Sequence, residues 1–257
     1  CDPAERKTSV TLSGLAGLGV VVLAAIFMAL FAVLHRRSHF SFRKIPAFNR
    51  IQRAARLVVE DGTRLHFSLG SGSVLTPAGA SALAGLVLLR ELGEISSLSD
   101  SPPVATTGSG VLNLLAQDTL RAAHDAVAGE QAFEMNNARL TGFTPFSYAA
   151  GVMPAIRDEN ISSNILIGSF GPEVGLLVEA ADRQNASVTA ASDSLTGQAV
   201  LYASSPETLI GEELFAAGAY VQAGSFHAAS LLLQDVLRWL IIAALLAGAG
   251  LKLAGLL

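Results

Sequence analysis

Cysteine is nearly absent. The single residue, Cys1, excludes a disulfide framework and any cysteine-based zinc site. Charge is scarce too: only 15% of the 257 residues are Asp, Glu, Lys or Arg, against about 25% in an ordinary soluble domain. That deficit argues against a purely soluble enzyme and excludes a disordered, highly charged chain. No Asp or Glu occurs from Arg6 through Val59. A complete Gly-x-Gly-x-x-Gly, a Walker Gly-Lys-Ser/Thr and a Gly-x-Ser-x-Gly elbow are also missing. A nucleophile needs an adjacent base, and His35, His39, His66, His124 and His227 sit in no motif. No catalytic residue, metal ligand or cofactor is assigned, and the reading leans away from an enzyme.

What the sequence does have is a long apolar run at each end. Residues 12–34 carry no charge. At about 1.5 Å per residue they reach about 34 Å, enough for a hydrocarbon core of about 30 Å. A second run occupies residues 230–257, apolar from Trp239 onward except for Lys252. It is rich in Ala and Gly (Ala243, Ala244, Ala247, Gly248, Ala249, Gly250), which lets helices approach closely in lipid. A buried C-terminal helix is the alternative for this run. Between the first span and the body lies a basic juxtamembrane segment, residues 35–56, with Arg36, Arg37, Arg43, Lys44, Arg50, Arg53 and Arg56. The positive-inside rule then predicts a bacterial cytoplasmic membrane protein with both termini outside and the middle in the cytoplasm. Cys1 is either a processed, lipidated start or the edge of a truncation, and residues 1–11 form the extracytoplasmic N-terminus.

From Leu57 to Asp235 the balance reverses, with 19 Asp and Glu against 6 Arg. An acidic body beyond a basic collar fits a lipid bilayer with anionic headgroups near Arg36, Arg37, Arg43 and Lys44. It fits nucleic acid poorly. The collar also reads as a plain topology determinant.

Residues 57–229 alternate between short apolar runs and helical stretches. Strands are expected at 64–69, 104–107, 133–140, 164–168, 186–191 and 198–203. Helices are expected from Pro46, from Thr76-Pro77 to Leu92, at 111–128, 146–157 and 173–183, and from Ser205-Pro206-Glu207 to Val221. Such alternation predicts an α/β fold with a mainly parallel, Rossmann-like sheet and helices on both faces, flanked by the two transmembrane helices.

Two strand-to-helix turns are candidate ligand sites. Ser71, Gly72 and Ser73 follow the first strand; Gly168, Ser169, Gly171 and Glu173 follow a later one. Turns of this kind present backbone N–H groups to anions, although a plain connection has the same composition. Glu212 and Glu213 are adjacent on an expected helix and point about 100° apart, so they do not share a metal from one face. Glu179 and Asp182 share a helical face but lack a histidine partner.

Several stretches resemble one family: Arg43-Lys-Ile-Pro46, Phe146 to Val152 (Phe-Ser-Tyr-Ala-Ala-Gly-Val), Ile165 to Phe170 (Ile-Leu-Ile-Gly-Ser-Phe), Thr208 to Tyr220 (Thr-Leu-Ile-Gly-Glu-Glu-Leu-Phe-Ala-Ala-Gly-Ala-Tyr) and Gln234-Asp235. On these the chain is similar to an uncharacterised bacterial membrane family, a domain of unknown function common in Chloroflexota. The resemblance covers roughly residues 43 to 245. It implies two transmembrane helices around a cytoplasmic α/β domain, and extra extracellular sequence before the first span in many members. It singles out Tyr148, Gly151, Gly211, Glu212, Glu213, Gln234 and Asp235 as motif or interface positions, and it implies no activity.

The expected function is a membrane-anchored, non-catalytic scaffold that forms homo-oligomers. The alternative is a ligand-sensing domain that recognises an anionic small molecule at the two turns.

Overall fold

The structure is a computed structural model describing residues 12–37, 42–76, 79–127, 133–221 and 223–253. The chain divides into two compact units, Cys1–Phe42 with Gly224–Leu257, and Arg43–Ala223.

The first unit consists of two helices, α1 (Leu12–Arg37) and α9 (Ser225–Leu253), packed on each other. Both are long and apolar enough to cross a membrane. Leu18, Val21, Trp239 and Leu245 are each more than half exposed. A helix buried in a soluble core would hide such side chains, so the buried alternative for the second run does not describe α9.

The second unit contains helices α2 (Pro46–Glu60), α3 (Gly79–Ser96), α4 (Gly110–Val127), α5 (Pro145–Asp158), α6 (Val174–Asp182), α7 (Leu195–Ser204) and α8 (Glu213–Tyr220). Its strands are β1 (Arg64–Gly70), β2 (Val104–Thr107), β3 (Ala138–Leu140), β4 (Ile161–Ser169), β5 (Ser187–Ser192) and β6 (Thr208–Leu209). They form one parallel sheet in the order β3-β2-β1-β4-β5-β6. This is the doubly wound arrangement, in which the winding direction reverses between β1 and β4.

Both faces of the sheet are covered, so the strands are buried on both sides. On one face, Leu65, Phe67, Leu69, Ile165 and Ile167 meet Phe48 and Ile51 of α2, Leu88 and Leu89 of α3 and Leu112 of α4. On the other, Leu166, Val188 and Ala190 meet Tyr148 and Val152 of α5, Leu177 of α6 and Leu201 of α7. Helix starts follow local chemistry. Pro46 begins α2 at its first turn. Thr144 and Ser147 form a capping box at the start of α5, with Pro145 as the first helical residue.

Three expectations are corrected. The stretch 198–203 is not a strand but part of α7, because a short apolar run does not distinguish the two periods. Ser205-Pro206-Glu207 does not start a helix. Ser205 closes α7, its Oγ accepts the Glu207 N–H at 3.4 Å, and the chain then enters β6. A helix resumes only at Glu213. The strand expected at 133–140 shrinks to Ala138–Leu140, preceded by a 3-10 turn at Met135–Asn137. The expected helix start at Pro77 and end at Ala128 lie outside the described residues, as does Cys1.

At the amino edge of the sheet Glu159 ties three elements together. It pairs with Arg64 of β1 at 2.6 Å and with Arg139 of β3. Burial works against its charge, yet the hydrogen bonds and charges of Arg139 and Arg64 outweigh burial and hold its carboxyl below the ordinary value.

Candidate functional site

In open α/β sheets, ligands bind beyond the carboxyl ends of strands, where the winding reverses. Here that point lies between β1 and β4. The structure brings the two glycine-rich turns together there: the Ser71 N–H donates to Ser169 O at 3.2 Å. The sheet register shifts between Ser68 and Gly70, which pairs with Ser169. Gly70 has φ +77°, a conformation few other residues adopt, and a Cβ there would strike Ser169 O. The next loop joins the same ledge, since a Cβ on Gly108 would lie 2.6 Å from Ser71 Cα. Ser73 organises the β1 turn; its Oγ accepts from Leu75 N and its carbonyl from Thr76 N at 3.2 Å. Gly72 lies between Ser71 and Ser73.

The two turns differ in charge. At the β4 turn the protein supplies a carboxyl group of its own. Glu173 is 1% exposed, and its Oε1 accepts the Gly171 N–H at 2.8 Å. Its Oε2 is buried without a hydrogen-bond partner. Gly171 leaves room for that oxygen, because a Cβ there would sit 2.6 Å from it. A buried polar atom without a partner costs roughly 1–3 kcal/mol, and more when charged.

Below these turns, on the face covered by α5, a polar network runs inside the sheet. It joins His66, Ser68, Thr106, Tyr148 and Asn164, all essentially inaccessible. The His66 Nδ1–H donates to Asn164 Oδ1 at 2.8 Å, so the neutral ring accepts at Nε2 from the Thr106 hydroxyl at 2.9 Å. Tyr148 OH contacts Ser68 Oγ, lies 3.1 Å from Thr106 Oγ1 and donates to Thr106 O at 3.2 Å. Burial lowers the His66 pKa to about 4 and raises that of Tyr148 to about 12. At neutral pH both groups are uncharged. Tyr148→Phe is expected to cost about 1–3 kcal/mol, because Ser68 and Thr106 lose a partner they cannot replace from water. Thermal unfolding of the two proteins checks this.

The polar network was not legible as a site. His66 and Ser68 alternate with Leu65, Phe67 and Leu69, as in a strand with one wet face. Only the cover of α5 makes their positions interior. The remaining motif positions scatter. Gly151 packs against Thr141 O. Gly211 donates its N–H to Gln198 Oε1 at 3.2 Å, Glu212 precedes α8, and Glu213 pairs with Arg43. Gln234 and Asp235 lie on α9 in the other unit, with Asp235 3.8 Å from Arg238. Glu179 pairs with Arg183 along α6. Among the described residues, no three His, Cys, Asp or Glu side chains group as metal ligands.

These features define a doubly wound α/β domain with two adjoining small-residue turns at its switch point, in a chain with a long apolar helix at each end. The family follows from comparison with family models. Residues 7–256 match the family described as Domain of unknown function (DUF6754), and the chain belongs to it. No curated protein and no solved structure matches the chain.

Proposed function

We propose that this is a membrane-anchored ligand-binding domain whose β1–β4 switch point takes a small molecule carrying both an anionic group and hydroxyl donors. The observation that carries it is Glu173, a buried carboxylate at the β1–β4 switch point with Oε2 unpartnered. A hydroxyl from a ligand would satisfy that oxygen. The Ser71–Ser73 turn, which has no carboxylate of its own, suits the anionic end. In this reading α1 and α9 span a bacterial cytoplasmic membrane, the termini lie outside, and the basic segment before α2 marks the cytoplasmic side.

The simplest probe with both groups is ribose 5-phosphate. At a concentration 100 times its dissociation constant it stabilises the fold by about 2.7 kcal/mol, a rise of about 5–10 °C in the unfolding midpoint. Inorganic phosphate gives a smaller shift. Glu173→Ala removes most of the ribose 5-phosphate effect, and Gly171→Val blocks it. No shift with any concentration of this probe, in a folded protein, would sink the reading for phosphorylated polyols.

A second reading, an oligomerising scaffold, is favoured by a different observation. Large apolar side chains stand exposed after strand ends at the carboxyl edge of the sheet: Leu75 at 84% and Phe143 at 75% in loops, and Leu195 at 82% at the start of α7. Exposed apolar surface on one edge of a domain is a candidate interface. A monodisperse monomer in mild detergent would count against it.

A further inference from the structure

We infer that the outward face of α2 rests on anionic lipid headgroups, held there by Arg53 and Arg56, with Arg50 on the same stripe. This rests on the reading that α1 spans a membrane, but not on the ligand reading. α2 buries Ala47, Phe48, Ile51, Ala55 and Val58 against the sheet. The three arginines recur every third residue on the opposite side and are exposed. At 100° per residue they occupy a sector of about 120°. Leu57 lies within that sector and is 45% exposed. Cations interspersed with an exposed apolar side chain are the composition of a helix lying at a bilayer surface.

Charge complementarity selects the occupant. Arg50 pairs with Glu207, and Arg43 with Glu213, which leaves Lys44 beside them in the same polar cleft. Arg53 and Arg56 form no ion pair among the described residues. The one acid on α2 is Glu60, its last residue, followed by Asp61. The excess of cations therefore lies along the first three turns, while the rest of the unit is acidic. Position agrees. Pro46 follows Arg37, the last residue of α1, by nine positions, a reach of about 30 Å when extended. A helix tethered so closely to a span meets the headgroup layer at high effective concentration.

Each arginine near an anionic surface is worth about 1 kcal/mol, or about fivefold in occupancy. Reversing two of them lowers occupancy of the surface-bound state at least about 25-fold. The test uses the full chain in nanodiscs of phosphatidylcholine, with or without phosphatidylglycerol. A nitroxide is placed through Asn49→Cys, in a Cys1→Ser background, on the exposed side of α2. A second protein carries it through Asp158→Cys on α5, on the opposite face of the sheet. The expected result is that phosphatidylglycerol shields the label at 49 from a water-soluble nickel chelate and leaves the label at 158 unchanged. R53E/R56E restores access at 49. High salt does the same in the protein with its arginines intact, which keeps the test decisive if the double variant fails to fold. Equal access at 49 in both nanodiscs overturns the inference and leaves the stripe to solvent or an acidic protein. Equal shielding in both overturns it as well, since charge would then not be what is recognised. Free glycerol phosphate that shields the label in phosphatidylcholine nanodiscs would assign the cations to a soluble phosphate instead of a surface.

Discussion

Gly168→Ala is expected to destabilise the sheet unit by about 3 kcal/mol or more, a large fraction of a domain's stability. Gly168 stands in β4 against the end of β1, the central strand pair. A Cβ there would collide with the carbonyl oxygen and carbon of Leu69. The obstacle is backbone, so no rotamer change relieves it, and the two strands must part at the register shift beside Gly70. Overpacking a core usually costs about 1–3 kcal/mol when side chains can adjust, and here they cannot. Domains of this size carry about 5–15 kcal/mol in total. Gly110→Ala is the matched control, because nothing lies within 4 Å of the position its Cβ would take. It should be neutral or slightly stabilising. Denaturant unfolding in mild detergent, followed by tyrosine fluorescence, separates the two. The three tyrosines, Tyr148, Tyr202 and Tyr220, all lie in the sheet unit, whereas the one tryptophan, Trp239, lies on α9. A Gly168→Ala protein as stable as the parent would refute the close approach of β1 and β4.

Acid is expected to weaken the fold in a window set by His66. Its pKa is about 4 in the folded protein, against 6.5 when free, because burial disfavours the imidazolium. Between these values the unfolded chain binds more protons than the folded one, so stability is complete above pH 6.5 and falls as pH drops toward 4. The total loss is about 3 kcal/mol, and the slope levels off below pH 4. The same network explains why the charged form is excluded. Imidazolium donates at both nitrogens and would need an acceptor at each, so the Thr106 hydroxyl would have to turn from donor to acceptor inside an already filled set of partners. His66→Gln is less stable at pH 7 and lacks this slope. Glu159 titrates separately: its carboxyl is held low, so its contribution persists above the ordinary carboxylate value and disappears only below it. Unfolding midpoints from pH 7.5 to 3.5, in the parent and in His66→Gln, distinguish the two windows. Parallel curves would remove His66 as the cause.

Much of the architecture was readable from local pattern. The two apolar ends, the starts at Pro46 and Pro145 and the strands around Phe67 and Ile165 each depend on neighbours a few positions away. Those neighbours set helix capping and hydrophobic periodicity. The errors at 198–209 have the same origin. Gln198 to Ala203 contains too few residues to reveal a period, and Pro206 suits a turn as well as a helix start.

The candidate site was half legible. The turns at Ser71–Ser73 and Gly168–Glu173 are visible as glycine-rich breaks after apolar runs, but their adjacency is not. His66 reaches Asn164 across 98 positions and Thr106 across 40. Such partners meet only because the strands assemble in the order β3-β2-β1-β4-β5-β6. Nothing within a single strand specifies which other strand it pairs with. Its alternation states only which side chains share a face.

The sequence by itself therefore determined most of the elements, the parallel α/β class and the apolar ends, since these follow from side-chain chemistry over a few residues. Tertiary structure alone decided that β1 and β4 lie together, that α5 encloses His66 and Ser68, and that Glu173 is buried with a free oxygen. Those outcomes come from packing many segments at once, where the burial of both sheet faces outweighs the preference of individual polar residues for water.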